Sequence, residues 1–231
     1  MTEQLDPPVR TSVLDNPVWW SATGAHAAVA ITSGGAAIYP PEVGLFAGMT
    51  GGNAWADLAG LLAPDRPALL VGATGIPADW LVHRAVEGVQ LAATVSMGEP
   101  DEEAVRLGPA DVPEMLDLVR RTEPGPFLPR TIELGHYLGI RRGGALVAMA
   151  GERMRPAGWT EISAVCTDPA YRGQGLATRL IRAVAVGIDA RGDMAFLHTG
   201  ADNTGAIRVY EKLGFAYRRP IAFQLVRPPR S

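Results

Sequence analysis

Hydrophobic and polar positions alternate along this chain in short runs, and their period changes often enough to predict a mixed α/β protein. In the first hundred residues, Ala27–Thr32 and Ala36–Tyr39 read as strands around a Gly34-Gly35 turn. Asn53 is placed to cap a helix that gathers Trp55, Leu58, Leu61 and Leu62 on one face, and Ala68–Val71 reads as a buried strand. A second helix is expected around Ala78–Val86 and a strand around Val89–Val95. Farther on, Val105–Leu107 reads as a strand. Asp111-Val-Pro-Glu114 has the form of a helix start: a capping residue, a proline in the first turn and a glutamate three positions after the cap. Val112, Met115, Leu116 and Val119 then line the buried face.

After a proline-rich loop from Pro124 to Pro129, strands are expected at His136–Arg141 and Ala145–Met154, joined by Gly143-Gly144, and at Thr160–Thr167. The rest alternates: a helix over 175–190, a strand over 195–199, a helix over 204–213 and a strand over 215–225.

Composition sharpens this picture. Of 231 residues, 47% are hydrophobic and 19% charged, enough apolar material for a full core and too little charge for a disordered chain. Residues 12–100 are poor in charge, whereas 101–231 carry most of the Arg, Asp and Glu, so a linker and domain boundary are expected near Gly98–Glu103, dividing the chain into 1–100 and 101–231. A net charge of −3 argues against general attraction to nucleic acid. Met1–Arg10 is acidic and proline-rich rather than signal-like, and no apolar stretch escapes interruption by Gly-Gly or proline, so a cytoplasmic protein without a membrane partner is expected. The single cysteine, Cys166, rules out an internal disulfide. The four histidines, His26, His83, His136 and His198, are too scattered for a metal site. Trp19-Trp20 and Trp80 read as core or interface anchors.

The chemistry concentrates in Glu161–Thr178. A strand ends near Thr167, Pro169 stops it, and Arg172-Gly-Gln-Gly175 opens an amphipathic helix. Glycines 173 and 175 let several backbone N–H groups converge, and the helix dipole adds to them, which makes a cradle for a pyrophosphate. Gly173-x-Gly175-x-x-Thr178 also imitates part of a dinucleotide fingerprint, but the glycines follow the strand only after a five-residue turn. Asp193 moreover precedes the next strand instead of ending it.

Val165–Ala177 resembles the acyl-CoA motif of the GNAT superfamily of N-acetyltransferases, Arg or Gln, two residues, Gly, one residue, then Gly or Ala, with Arg172, Gly175 and Ala177 in those places. Asn203–Phe215 is similar to that superfamily's second motif, in which an Asn opens a helix and a Tyr sits one turn from its end. The resemblance covers about residues 105–226; residues 1–100 resemble only loosely the degenerate GNAT-like halves of two-domain members. It implies an α+β fold with a mixed central sheet flanked by helices, preceded by a smaller α/β domain.

It also implies acetyl-CoA as co-substrate. The pyrophosphate would lie on Arg172, Gly173, Gln174, Gly175, Leu176, Ala177 and Thr178, the pantetheine arm on the backbone of Val165, Cys166 and Thr167, and Asn203 and Ala206 would complete the cofactor site. Tyr210 matches the general acid that protonates the departing thiolate. Glu161 is the best candidate for the base, since alternation puts Glu161, Ser163, Val165 and Thr167 on one strand face and Cys166 on the other. In some members that glutamate stands at the place of Trp159, so Glu161 is equally a substrate ligand, a water-mediated base or a paired structural carboxylate. Tyr210 has the competing reading of a core aromatic.

Phe127 and Arg130 occupy the loop where the family shapes its acceptor pocket. The acceptor is expected to be the primary amine of a small molecule or peptide, attacking directly in a ternary complex. The alternatives are a non-catalytic acyl-CoA-binding module and an aminoacyl transferase on a duplicated GNAT fold. A homodimer is compatible with all three.

Overall fold

The computed structural model describes residues 12–51, 54–63 and 65–229. Its main element is a mixed sheet of eight strands in the order β4-β11-β5-β10-β9-β8-β7-β6. Here β4 is Ala68–Val71, β5 Leu81–Ala93, β6 Val105–Leu107, β7 Tyr137–Arg142, β8 Ala145–Glu152, β9 Trp159–Thr167, β10 Met194–Gly200 and β11 Phe215–Arg227. A separate sheet of three short strands, β1 (Ile31–Ser33), β2 (Ala36–Ile38) and β3 (Ala47–Met49), precedes it and reaches it through a parallel bridge from Phe46 to Leu69. The five helices among the described residues are α1 (Pro17–Ala22), α2 (Trp55–Leu61), α3 (Val112–Thr122), α4 (Leu176–Ala190) and α5 (Thr204–Lys212). None of them is long and apolar enough to cross a membrane.

Helix α4 forms because Leu176, Leu180, Ile181, Val184 and Ile188 recur at helical spacing; all five are buried against Ile140, Val147, Ile162 and Leu197 of the sheet. Burial of such a side chain contributes roughly 1.5–3 kcal/mol. The opposite face is covered by α3, through Met115 and Leu118 against Leu107, Tyr137 and Met149, and by the N-terminal segment, through Leu14 and Val18 against Phe196.

Three expectations are corrected. The helix expected over 78–86 is absent; Leu81–Ala93 is one thirteen-residue strand, inserted between β10 and β11 and antiparallel to both. Pairing of its first half with β11, continued by pairing of residues 88–92 with both β10 and β11, outweighs the helix-like spacing of its apolar residues. The sheet therefore runs across the boundary expected near residue 100, since β4 and β5 belong to it. The expected linker is strapped onto α4 instead: Ser96 Oγ and the Gly98 N–H bond Asp189 at 2.6 and 2.8 Å, and Asp101 pairs with Arg179. Finally, Asp111 does not cap α3 with its side chain. It accepts from the Gly108 N–H at 2.8 Å and from Arg141 at 2.7 Å, and Arg141 also holds Glu114.

Among smaller points, Asn53 lies outside the described residues. Trp80 packs edge-to-face on Trp55 as an anchor should, whereas Trp20 is exposed. The turn at Gly143-Gly144 and the alternation from α4 to β11 fall where the pattern places them. The hairpin turn at Gly34-Gly35 does too, but its first strand is only Ile31–Ser33, because the residues before it, 27–29, form turns on Gly24 and His26.

Candidate active site

Strands β9 and β10 run parallel but pair only from Trp159 to Glu161 against Met194 to Phe196. Beyond that point they part, and β9 keeps only β8 as a neighbour. The gap opens into a cavity of about 800 Å³ lined by Ile162–Thr167, Arg172, Ala177, His198–Gly200, Asn203, Ala206 and Tyr210. The cavity-facing edge of β9 thus has no neighbouring strand along Ile162–Thr167, so its N–H and C=O groups can pair with an extended ligand.

A bulge shapes this edge. Register between β8 and β9 slips between Met149 and Gly151, and Ala164 takes φ +52°, so strict alternation breaks there. Val165 consequently packs toward α4, while Cys166 packs with Met115 and Leu118 of α3, on the face that Glu161 shares. The expectation that Glu161 and Val165 share a face, with Cys166 opposite, is overturned by this extra residue.

At the start of α4, Gly173 and Gly175 have φ +78° and +74°, and a Cβ at either would meet no protein atom within 4 Å. The Arg179 N–H is the first to find a helical acceptor, the Gly175 carbonyl, so those of residues 173–178 face outward without backbone partners. Open space, left-handed glycines and unpaired donors at the N-terminus of a fifteen-residue helix fit a pyrophosphate. Across the cavity, Asn203 caps α5 by accepting from the Ala206 N–H at 3.3 Å. That cap starts the helix that carries Tyr210, which is buried beside Phe215; burial pushes its phenol up to about 12.

Glu161 stands elsewhere than a base would. It is fully buried, forked onto the Arg153 guanidinium at 2.8 and 2.7 Å, and accepts from His198 Nδ1 at 2.7 Å. Burial alone would raise its pKa, but the charge and hydrogen bonds of Arg153, with the bond from His198, hold it well below the ordinary carboxylate range. Glu161 is thus a paired, fully buried carboxylate, and it is not among the residues that line the cavity. The network continues: Gln90 Oε1 accepts from Arg218, so its Nε2 donates to the Leu14 carbonyl at 2.8 Å and to His198 Nε2 at 2.9 Å. His198 is thereby fixed as the Nδ1–H tautomer.

The acceptor residues expected in the loop after α3 are also corrected. Phe127 is buried edge-to-face on Tyr137, and Arg130 pairs with Glu133; neither lines the cavity. The neighbouring residues 122–126 line it instead, together with Phe46, Leu69, Arg84, Val86, Arg153, Phe223 and Leu225, which no motif marks. Cys166 lines the cavity too, its thiol pushed up to about 11 by burial, in keeping with a small buried hydrophobe. Among the described residues no cluster could hold a metal ion.

A solved GNAT-family structure from Novosphingobium aromaticivorans DSM 12444 is similar over 94% of this chain and 99% of its own, at 42% identity and a TM-score of 0.87. The chain belongs to the GNAT family of acetyltransferases. Residues 137–223 match the FR47-like protein family. The N-alpha-acetyltransferase RimI of Mycobacterium tuberculosis is 39% identical over 84 residues, an alignment covering 35% of this chain and about half, 51%, of that protein. A GCN5-related N-acetyltransferase from Kribbella flavida shares the fold at 18% identity, with a TM-score of 0.56 over 91% of this chain and 94% of that one. The GNAT fold is thus an α+β arrangement here, its mixed sheet flanked by helices and preceded by the small three-stranded sheet.

Proposed function

We propose that the protein moves an acetyl group from acetyl-CoA to a primary amine by direct attack in a ternary complex. The observation that carries this reading is the parting of β9 and β10, which sets an unpaired strand edge, an N–H cradle and a tyrosine around one cavity. The N–H groups of residues 173–178 would hold the pyrophosphate, with Arg172 beside them, and the backbone of Val165, Cys166 and Thr167 the pantetheine arm. Asn203 and Ala206 form the far wall. Acetyl-CoA supplies an activated thioester carbonyl.

Tyr210 supplies the proton that the leaving sulfur needs, and a phenol pushed up to about 12 keeps that proton at any physiological pH. Attack by Cys166 is disfavoured, since its thiol is pushed up to about 11 and His198 spends its Nδ1 proton on Glu161. With Glu161 committed to Arg153, the amine loses its proton to water in the open cavity. Glu161 serves the reaction by fixing Arg153 and His198.

Tyr210→Phe is expected to lower kcat tenfold or more while acetyl-CoA affinity changes less than threefold, read by CoA release and by calorimetry. Because the acid must be protonated and its pKa is raised, the wild-type rate should show no loss attributable to Tyr210 up to about pH 10. An unchanged kcat in the phenylalanine variant removes Tyr210 from the reaction.

A further inference from the structure

The end of the cavity away from the cradle has a different lining. Leu225 stands across from both Leu69 on β4 and Arg84 on β5, Phe223 stands across from Val86, and Phe46 bridges Leu69, so these residues make one continuous wall. It is apolar apart from two arginines and the His198 ring, which packs edge-to-face on Phe223 with both nitrogens already hydrogen-bonded. Arg153 is only 7% exposed and lies over the Phe46 ring at 4.6 Å; its Nε and Nη2 are spent on Glu161, and its Nη1 makes no hydrogen bond among the described residues. Arg84 is exposed and has no ion-pair partner among the described residues. The carboxylates that line the cavity without an ion-pair partner among the described residues, Glu123 and Asp202, come from the loop after α3 and the loop before α5, and neither belongs to this wall. Asp202 precedes Asn203, and Glu123 follows Thr122, whose hydroxyl lies against Cys166.

An apolar wall with an unpaired guanidinium and no free carboxylate disfavours a polyamine or any other acceptor with a second cation, because the charge would be desolvated beside Arg84. It favours an anionic group, and arginine donors match a carboxylate in a planar fork. We propose that the acceptor is a primary amine carrying a carboxylate and an apolar side chain, the chemistry of a hydrophobic amino acid, with Arg84 and Arg153 Nη1 holding the carboxylate. This rests on the acetyl-transfer reading above. It assigns specificity to Arg84 on β5 and to Arg153 in the turn after β8, neither of which belongs to the cofactor cradle.

The test uses the full chain saturated with CoA and measures binding of leucine, phenylalanine and methionine against their carboxamides and spermidine by calorimetry, with CoA release from acetyl-CoA followed in parallel. The free acids are expected to bind at least tenfold tighter than the amides. Arg84→Gln, an exposed substitution that leaves the Arg153–Glu161 pair intact, should bring that ratio close to one, and raising the salt should lower it in the wild type. Amides or spermidine binding as well as the acids, no binding by any of the three acids, or an acid-to-amide ratio unmoved in Arg84→Gln would each overturn the assignment. The two readings fail separately. Tight acid binding without CoA release removes acetyl transfer but keeps the carboxylate site, whereas CoA release onto amides and acids alike removes only the site.

Discussion

Buried charge is handled here residue by residue, and each solution has a consequence that can be measured. Glu161 tolerates complete burial because Arg153 and His198 give it three hydrogen bonds, so its carboxylate orients its neighbours instead of exchanging protons. His26 takes the other course. It is 4% exposed, with Nδ1 against the Tyr39 hydroxyl at 2.9 Å and Nε2 against the Leu134 carbonyl at 3.0 Å, and burial pushes its pKa from 6.5 down to about 4. The unfolded chain takes up a proton near 6.5 and the folded one only near 4. The stability that depends on a neutral His26 is therefore complete above pH 6.5 and is lost as pH falls toward 4, up to about 3 kcal/mol. In urea titrations at pH 7.5 and 4.5, His26→Gln should lose less stability between the two than the wild type does, by about that amount. Parallel losses would mean that His26 is not buried neutral.

Elements differ in how far their residues announce them. The start of α4 was legible because the conformation of its first turn demands glycine at 173 and 175, and no distant contact is needed to see it. The same locality makes it testable. Valine at either position should weaken CoA binding tenfold or more by calorimetry, because a β-branched side chain both resists the left-handed backbone and enters the open cradle. Unweakened binding with a normal circular dichroism spectrum would separate the helix start from the cofactor. The elements misread are those decided from afar. Residues 78–86 carry apolar side chains at helical intervals, and only β11, more than a hundred residues away, draws 81–86 into a strand. The bulge at Ala164 is set by register against β8, and it moves Cys166 across the strand with no local mark. Glu161 was legible as a residue of the site, but its partner Arg153 is brought to it by the turn between β8 and β9, so its role was not. The wall formed by Arg84, Phe223 and Leu225 had no local signature at all, since it exists only once β5 and β11 pair.

For the molecule as a whole, the composition step near residue 100 marks a change in surface chemistry and leaves the sheet undivided. β5 supplies the strand between β10 and β11 and buries Leu91 and Ala93 in the core under α4. Gln90 on the same strand ties the Leu14 carbonyl to His198, and Arg218, which holds Gln90, also pairs with Asp15 at 2.7 Å. Both halves of the chain therefore build one site, and a fragment of residues 101–231, though it contains every motif residue, lacks the strand that seats β10. That fragment exposes the facing edges of β10 and β11 and loses the apolar area β5 covers, so it should be insoluble or show no cooperative unfolding, with CoA affinity at least a hundredfold below that of the full chain. Adding residues 12–100 as a separate polypeptide should restore cooperative melting if the lost strand is the cause. A fragment that melts cooperatively alone and binds CoA as the full chain does would show instead that the strands from 101 onward close their own sheet, and that β5 only lines the acceptor side.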